Sequence, residues 1–153
     1  MADSYTNIYI HYVMATYARV PVLFEEKQDE LYSYIAGIIR GLGCFVHCIG
    51  GVEDHVHILI GLNPAKSIAE VAQKIKANSS RFINQQNWLP GKFSWQGGYA
   101  AFSVSASMRE KVRTYIKNQK EHHKKLNFMD EYFSLLEKHG IEYNRQHLFH
   151  RPE

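Results

Sequence analysis

The order of strand-like and helix-like segments is the feature that most limits how this chain can fold. Segments rich in β-branched and aromatic residues alternate with segments whose apolar residues recur at helical spacing. The predicted strands cover residues 5–17, 44–52, 55–62 and 99–105, and the predicted helices cover residues 25–40, 67–85, 107–126 and 130–139. Only Glu53 and Asp54 separate the second strand from the third, so these two strands should form a hairpin.

The resulting β-α-β-β-α-β order predicts an α+β fold of the ferredoxin-like type, with one antiparallel sheet and helices packed on one of its faces. The chain has 153 residues, which is enough for one domain with a full hydrophobic core. We expect a single domain over residues 1–153, with its core at about 5–130 and a C-terminal helix and tail at 130–153. Many unrelated functions occur on this fold, so the function must be inferred from particular side chains.

Positive charge is concentrated in two segments of the chain. Residues 66–92 carry five Lys or Arg and one acid, and residues 107–126 carry seven Lys or Arg and two acids. The remaining residues carry six Lys or Arg and twelve acids, although the whole chain has a net charge of only +3. Phosphate-binding surfaces show such concentration, while two solvated helix faces would give the same pattern.

The sequence lacks the features of a secreted or membrane-bound protein. Its N-terminus has neither the basic nor the apolar region of a signal peptide, and no apolar run is long enough to cross a membrane. The two cysteines, Cys44 and Cys48, fall on one predicted strand. Their Cα atoms would be about 13 Å apart, beyond the roughly 7 Å limit for a disulfide. We therefore expect reduced thiols, a cytoplasmic location and no membrane partner.

Two histidines alternate with a valine in the third predicted strand. His55 and His57 should point to the same face of the sheet, about 6.5 to 7 Å apart, with Val56 on the other face. Two imidazoles so placed can converge on one divalent cation, or they can be ordinary hydrogen-bonded histidines. The apolar run 58–60 marks this strand as part of the core, where polar rings need a specific reason.

The helix predicted over 107–126 carries a tyrosine and a glutamine four residues apart. This spacing places Tyr115 and Gln119 on the same helix face, about 6 Å apart. A glutamine oxygen is a hard neutral ligand suited to Mg²⁺ or Mn²⁺. A tyrosine phenol can attack phosphorus, and its pKa near 10 makes the phenolate a good leaving group when the bond is reversed. Each residue alone could equally be an ordinary packed or exposed helix position.

Two further segments contain residue types that suit nucleic acid. Residues 76–81, Lys-Ala-Asn-Ser-Ser-Arg, place small hydroxyls beside cations, which suits phosphate contact or a solvated helix end. Residues 93–105 combine aromatic side chains with glycines. Such aromatics can stack on unpaired bases, or they can cap the core.

Together these motifs resemble the HUH single-tyrosine transposases of small bacterial insertion sequences, including the REP-associated tyrosine transposases. The resemblance rests on residues 55–57, 76–81, 95–99 and 115–119, in the order and spacing of that family, and covers roughly residues 5–130. One departure is Ala77, where relatives often have glycine, a freer residue.

The resemblance implies a metal-dependent enzyme that cleaves and rejoins single-stranded DNA at element ends through a 5′-phosphotyrosine intermediate. It implies Tyr115 as the nucleophile on a C-terminal catalytic helix, and His55, His57 and Gln119 as ligands of Mg²⁺ or Mn²⁺. It also implies a homodimer that recognises DNA hairpins at element ends. The candidate DNA contacts are Lys74, Lys76, Ser79, Ser80, Arg81 and Lys117.

Other classes fit the sequence less well. A two-histidine phosphoesterase needs two His-x-Ser/Thr motifs, and a carboxylate-based transposase needs three convergent acids, yet neither set stands out. The chain has no Walker-type loop, so ATP-driven action is not expected. Two alternatives stay open: a non-catalytic ferredoxin-like module that binds nucleic acid, and a domesticated relative that processes repetitive chromosomal hairpins with the same chemistry.

Overall fold

The computed structural model describes residues 2–144 and contains a four-stranded sheet with five α-helices. The strands are β1 (Tyr9–Ala15), β2 (Phe45–Val52), β3 (His55–Gly61) and β4 (Ala100–Val104), and the helices are α1 (Glu25–Gly41), α2 (Ile68–Gln85), α3 (Arg109–Lys117), α4 (Gln119–His122) and α5 (Phe128–Lys138). Met1 and the tail from residue 145 lie outside the described residues, so the expected domain limits stay a prediction at both ends.

The sheet has the strand order β2-β3-β1-β4, and every neighbouring pair is antiparallel. This is the predicted ferredoxin-like arrangement, with β1 and β3 in the centre and the β2–β3 hairpin turning at Glu53 and Asp54. The alternation of side chains along the two central strands gives the sheet two different faces.

The first face of the sheet is apolar and is covered by α1 and α2. Ile10, Tyr12 and Met14 of β1 and the even-numbered residues of β3 pack there in one buried cluster with both helices. Helix α2 begins as predicted, because the Ser67 hydroxyl accepts a hydrogen bond from the Glu70 backbone N–H at 3.0 Å. This layer contributes the main hydrophobic core.

The second face of the sheet carries the histidines and is covered by the C-terminal helices. Ile116 of α3 packs with Leu59 of β3, while Phe128, Tyr132 and Leu136 of α5 pack against β1 and β4. The sequence predicted helices on one face of the sheet and an additional C-terminal helix. In the structure this C-terminal part consists of three helices, α3, α4 and α5, which cover the other face.

The prediction of one long helix over residues 107–126 is wrong in two respects. Ser107 lies in a short 3-10 turn and does not cap α3, which begins at Arg109 without a side-chain cap. The helix then breaks at Asn118, whose backbone leaves the helical region, and a four-residue helix, α4, follows. Asparagine is a weak helix former because its side chain competes for backbone hydrogen bonds, so a break costs less there than at a strong helix former.

The cysteines are both buried free thiols, as expected, but they point to opposite faces of the sheet. Cys44 precedes β2 and packs on the first face, whereas Cys48 packs on the second. A register shift between Val46 and Cys48 inserts one extra residue, which reverses the side-chain alternation. Within residues 2–144, no helix is long and apolar enough to span a membrane.

Candidate active site

His55 and His57 lie side by side on the second face of the sheet, as the alternation predicts. Both side chains have zero exposed surface, and their ring centroids are 5.1 Å apart. They face the C-terminal helices because β3 is a central strand whose other side is filled by the apolar core. Two polar rings buried without solvent require polar partners.

Each of the two rings has an outer partner that fixes its orientation. The Nδ1 atom of His55 lies 2.7 Å from Asp54 Oδ1, in the hairpin turn. The Nδ1 atom of His57 lies 2.8 Å from Nε2 of His11, a buried residue of β1. Because Nδ1 is engaged in both rings, both Nε2 atoms point towards the C-terminal helices. His11 belongs to none of the motifs in the sequence, and Asp54 was predicted only as a turn residue.

Gln119 and Tyr115 reach the same place from the helix side. The Gln119 Oε1 atom lies 3.0 Å from His55 Nε2, and Gln119 is buried. The half-buried Tyr115 ring lies with its centroid 5.6 Å from that of His57. The structure therefore brings together the four residues predicted for the nucleophile and metal ligands, despite the helix break between Tyr115 and Gln119.

A residue that the sequence analysis missed, Glu131 of α5, lies at the centre of this group. Its side chain is 2% exposed, and its Oε1 atom is 3.1 Å from His57 Nε2 and 3.3 Å from His55 Nε2. Its Oε2 atom accepts hydrogen bonds from the Tyr115 hydroxyl and, at 3.1 Å, from Gln119 Nε2. All four predicted residues thus contact one carboxylate.

Two consecutive histidines complete the surroundings of this carboxylate. His123 Nε2 lies 3.1 Å from Glu131 Oε1, and His122 Nε2 lies 3.3 Å from Oε2. His123 is only 10% exposed. His123 is four residues from Gln119, which places the two side chains on the same helix face. This spacing was the sequence feature that could have indicated its place in the site.

Burial and pairing make the site strongly charged. Burial raises the pKa of Glu131, but hydrogen bonds from His123, His55 and His57 outweigh this and hold it well below its usual range. Burial also lowers the pKa of His55, but the hydrogen bonds of Asp54 and Glu131 raise it overall to about 9. Burial and the hydrogen bond to Glu131 raise the pKa of Tyr115, so its phenol is protonated at neutral pH.

The arrangement could hold a metal ion. One ligand atom each from His55, His57 and Glu131 lie within 4.8 Å of one another, and a second such group contains His122, His123 and Glu131. His55 Nε2 lies between the oxygens of Gln119 and Glu131. Either a proton on His55 Nε2 or a metal cation must lie between these atoms, because three electron-rich atoms would otherwise meet there. The donor set therefore fits a divalent cation.

The candidate DNA contacts fall into two groups. Lys76 and Ser79 are buried in contacts within the chain: Lys76 Nζ donates to the carbonyls of Gln96 and Gly98 at 2.8 Å, and Ser79 accepts from the Trp95 indole at 3.0 Å. Burial lowers the pKa of Lys76 to about 8. The exposed or half-buried candidates are Lys74, Ser80, Arg81 and Lys117.

These remaining candidates lie on both sides of the sheet, because α2 covers the first face and α3 the second. The Trp95 ring is fully buried and packs edge-on against Phe93, at a centroid distance of 5.0 Å. Trp95 and Phe93, from the aromatic segment 93–105, therefore pack in the core and are not exposed for stacking on bases.

A split βαβ sheet whose His-x-His strand faces a helix-borne tyrosine and glutamine has the layout of a transposase domain. Residues 4–119 match the profile of the family described as "Transposase IS200 like". The chain belongs to this family, which supports a role as a DNA-processing enzyme of the transposase class. A search of curated proteins gave no match.

Two solved structures resemble this chain. A candidate transposase from Deinococcus radiodurans R1 has 26% identity and a TM-score of 0.62, and the match covers 78% of this chain and 96% of that one. A REP-associated tyrosine transposase, solved bound to a REP hairpin, has 13% identity and a TM-score of 0.61, and the match covers 80% of this chain and 73% of that one. The second likeness is one of fold.

Proposed function

We propose that this chain is a metal-dependent transposase that cleaves and rejoins single-stranded DNA through a 5′-phosphotyrosine intermediate. The observation that carries the proposal is the meeting of Tyr115, His55, His57 and Gln119 in one buried polar centre. A helix tyrosine packed for structure alone would not need two sheet imidazoles and an amide around it. A nucleic-acid binding module without catalysis leaves this group of residues without a role.

In the proposed reaction, the Tyr115 oxygen attacks the scissile phosphorus in line and forms a phosphotyrosine bond, while the DNA 3′ oxygen leaves. The phenol proton leaves along its hydrogen bond to the Glu131 carboxylate and ends on the departing 3′ oxygen, which becomes a 3′ hydroxyl. A second DNA 3′ hydroxyl later attacks the same phosphorus, joins a new strand and returns the oxygen to Tyr115. The exchange needs no nucleotide hydrolysis because the phosphoester bond is conserved.

We propose His55, His57 and Gln119 as the ligands of a Mg²⁺ or Mn²⁺ ion. When bound, this ion supplies a Lewis acid and a template for the scissile phosphate. Asp54 and His11 hold the two imidazoles so that their Nε2 atoms face the ion. We propose that Lys74, Ser80, Arg81 and Lys117 contact the DNA backbone, with Lys76 and Ser79 supporting α2 from within. Hairpin-forming DNA as substrate, a homodimeric state and a cytoplasmic location belong to the same proposal.

The test is incubation with end-labelled single-stranded DNA containing a hairpin, in the presence of Mg²⁺ or Mn²⁺. We expect a covalent protein–DNA adduct on a denaturing gel, attached at Tyr115 when the adducted peptide is mapped. Tyr115→Phe should abolish the adduct while DNA binding persists, and the matched control Tyr17→Phe, at a partly exposed site, should form it normally. An adduct with Tyr115→Phe, or full activity in chelator, would contradict the proposal.

A further inference from the structure

Glu131 requires an explanation that the family motifs do not provide. It lies on α5, beyond the residues 4–119 that match the family profile. Its carboxylate is 2% exposed, and burying a carboxylate is costly unless it is matched by positive charge or several donors. A residue that served only to hold α5 on the sheet would more simply be apolar, as Phe128 and Tyr132 are.

The two oxygens of this carboxylate face different groups. Oε1 lies 3.1 to 3.3 Å from the Nε2 atoms of His55 and His57, which are the proposed metal-ligating atoms. Oε2 faces the Tyr115 hydroxyl and the Gln119 amide N–H. Separations near 3 Å between donor atoms are those expected around a cation whose bonds are about 2.1 Å long. The position of Oε1 is therefore compatible with a further ligand of such a cation.

The charge of the site points the same way. The two histidines and Gln119 are neutral donors when they bind a metal, so without Glu131 the site would hold a divalent cation with no negative charge of its own. Mg²⁺ and Mn²⁺ prefer oxygen ligands, and proteins usually bind them through at least one carboxylate. Glu131 supplies that charge before any DNA phosphate arrives.

We infer that Glu131 is the anionic ligand of this metal centre, so that the chain binds its cation through His55, His57, Gln119 and Glu131 in the absence of DNA. The inference rests on the proposed function, because it concerns the same centre. It assigns to the C-terminal helix α5 a direct part in that centre. The carboxylate ligates through Oε1, and this leaves Oε2 free to hold the Tyr115 hydroxyl.

The test is the affinity for Mn²⁺ without DNA, measured by the loss of the free-ion signal in electron paramagnetic resonance. Replacing a hydrogen-bond partner of a metal ligand already weakens binding by about 10- to 100-fold, so Glu131→Gln should cost at least about 10-fold. Glu137→Gln, an exposed glutamate on the same helix, should leave the affinity unchanged. His57→Ala should abolish binding at this centre.

Glu131→Asp keeps the charge and retracts it by one methylene group, so its affinity should lie between those of the wild type and Glu131→Gln. This variant carries the test if Glu131→Gln fails to fold, as judged by circular dichroism.

Two results would overturn the inference. Wild-type or tighter Mn²⁺ binding by a folded Glu131→Gln protein would show that the carboxylate only neutralises the histidines and competes with the cation. Unchanged binding by His57→Ala would place the ion elsewhere, for example at His122 and His123. Neither result bears on adduct formation at Tyr115, which the denaturing-gel assay tests separately, so the tyrosine chemistry can stand when this inference fails. The second result would also remove His57 from the proposed metal ligands. A wild-type protein that binds no Mn²⁺ would overturn this inference and the proposed metal dependence together.

Discussion

Single histidines on the second face of the sheet differ sharply in their affinity for protons. Burial lowers the pKa of His11 to about 3, and charge repulsion from His57 lowers it further. Burial lowers the pKa of His57 to about 4, and charge repulsion from His55 and His123 adds to this. His55 differs because Asp54 and Glu131 both accept from it, which raises its pKa to about 9. In the metal-free protein His55 is therefore charged, whereas His11 and His57 are neutral. His55 and His57 both contact the Glu131 carboxylate, and His57 also contacts His11.

These values predict that the metal-free protein is most stable near pH 6.5. Below that pH the unfolded chain binds protons that folded His11 and His57 do not, so stability is lost as the pH falls towards 4, by about 2 kcal/mol per histidine at pH 5. The stabilisation from His55 is complete below about 6.5 and is lost as the pH rises towards 9.

Urea unfolding in EDTA at pH 5 and 6.5 measures the acid effect. His11→Gln should roughly halve the loss between these pH values, whereas His47→Gln, at a half-buried ring outside the site, should keep most of it. Equal free energies of unfolding at both pH values in the wild type would contradict the prediction.

The residues of the site differ in how far the sequence reveals them. His55 and His57 could be predicted because alternation along a strand fixes a shared face whatever the rest of the fold does. Glu131 could not, since its position depends on how α5 folds back across the sheet, and nothing within 128–138 distinguishes it from other helix acids. His11 was missed because its contact with His57 depends on the register of β1 against β3, which the predicted fold class does not fix.

At the scale of whole elements, a glycine sets the distance between α3 and the sheet. Gly50 of β2 lies opposite His57 of β3 in the strand register. A β-carbon at this position would lie 2.6 Å from the Ile116 carbonyl oxygen of α3, closer than atoms can approach. The Gly50-Gly51 pair lies within the continuous strand β2. Because Gly50 has no side chain, the helix that carries Tyr115 can pack closely against the sheet.

We therefore expect Gly50→Ala to displace α3 and to move Tyr115 away from the histidines. Overpacking of this kind costs about 1 to 3 kcal/mol, and the loss of adduct formation should exceed the loss of folded protein. Gly37→Ala is the matched control, because a β-carbon there meets nothing within 4 Å and alanine favours the helix. Urea unfolding combined with the DNA adduct assay measures both effects, and a Gly50→Ala protein with full activity would show that α3 does not depend on this contact.

Element boundaries were predictable where a local signal controls them. The Ser67 cap and the hairpin at Glu53 and Asp54 are local, and both form as expected. The break at Asn118 and the inward-facing Lys76 are not local, because each depends on what the chain packs against. A motif of lysine and serine residues looks the same in sequence whether it faces solvent or an indole ring.

For the molecule as a whole, the described chain assembles its candidate site without a second copy. Tyr115 and the two histidines contact the same carboxylate of the same chain, and the histidines have zero exposed surface. A scissile phosphate can reach them only if the covering helices move. This arrangement predicts that Tyr115 acts with the histidines of its own chain, even if the protein is a dimer.

Complementation between two inactive variants tests this prediction. A Tyr115→Phe chain keeps the histidines and a His57→Ala chain keeps the tyrosine, so a dimer that exchanged tyrosines would contain one intact site. We expect no DNA adduct when the two variants carry different tags, are produced together and are purified through both tags. Wild-type chains paired with either variant serve as the control and should form adduct only on the wild-type chain. An adduct on the His57→Ala chain of the doubly variant pair would show that the tyrosine serves the partner's histidines, because that chain has no complete site of its own.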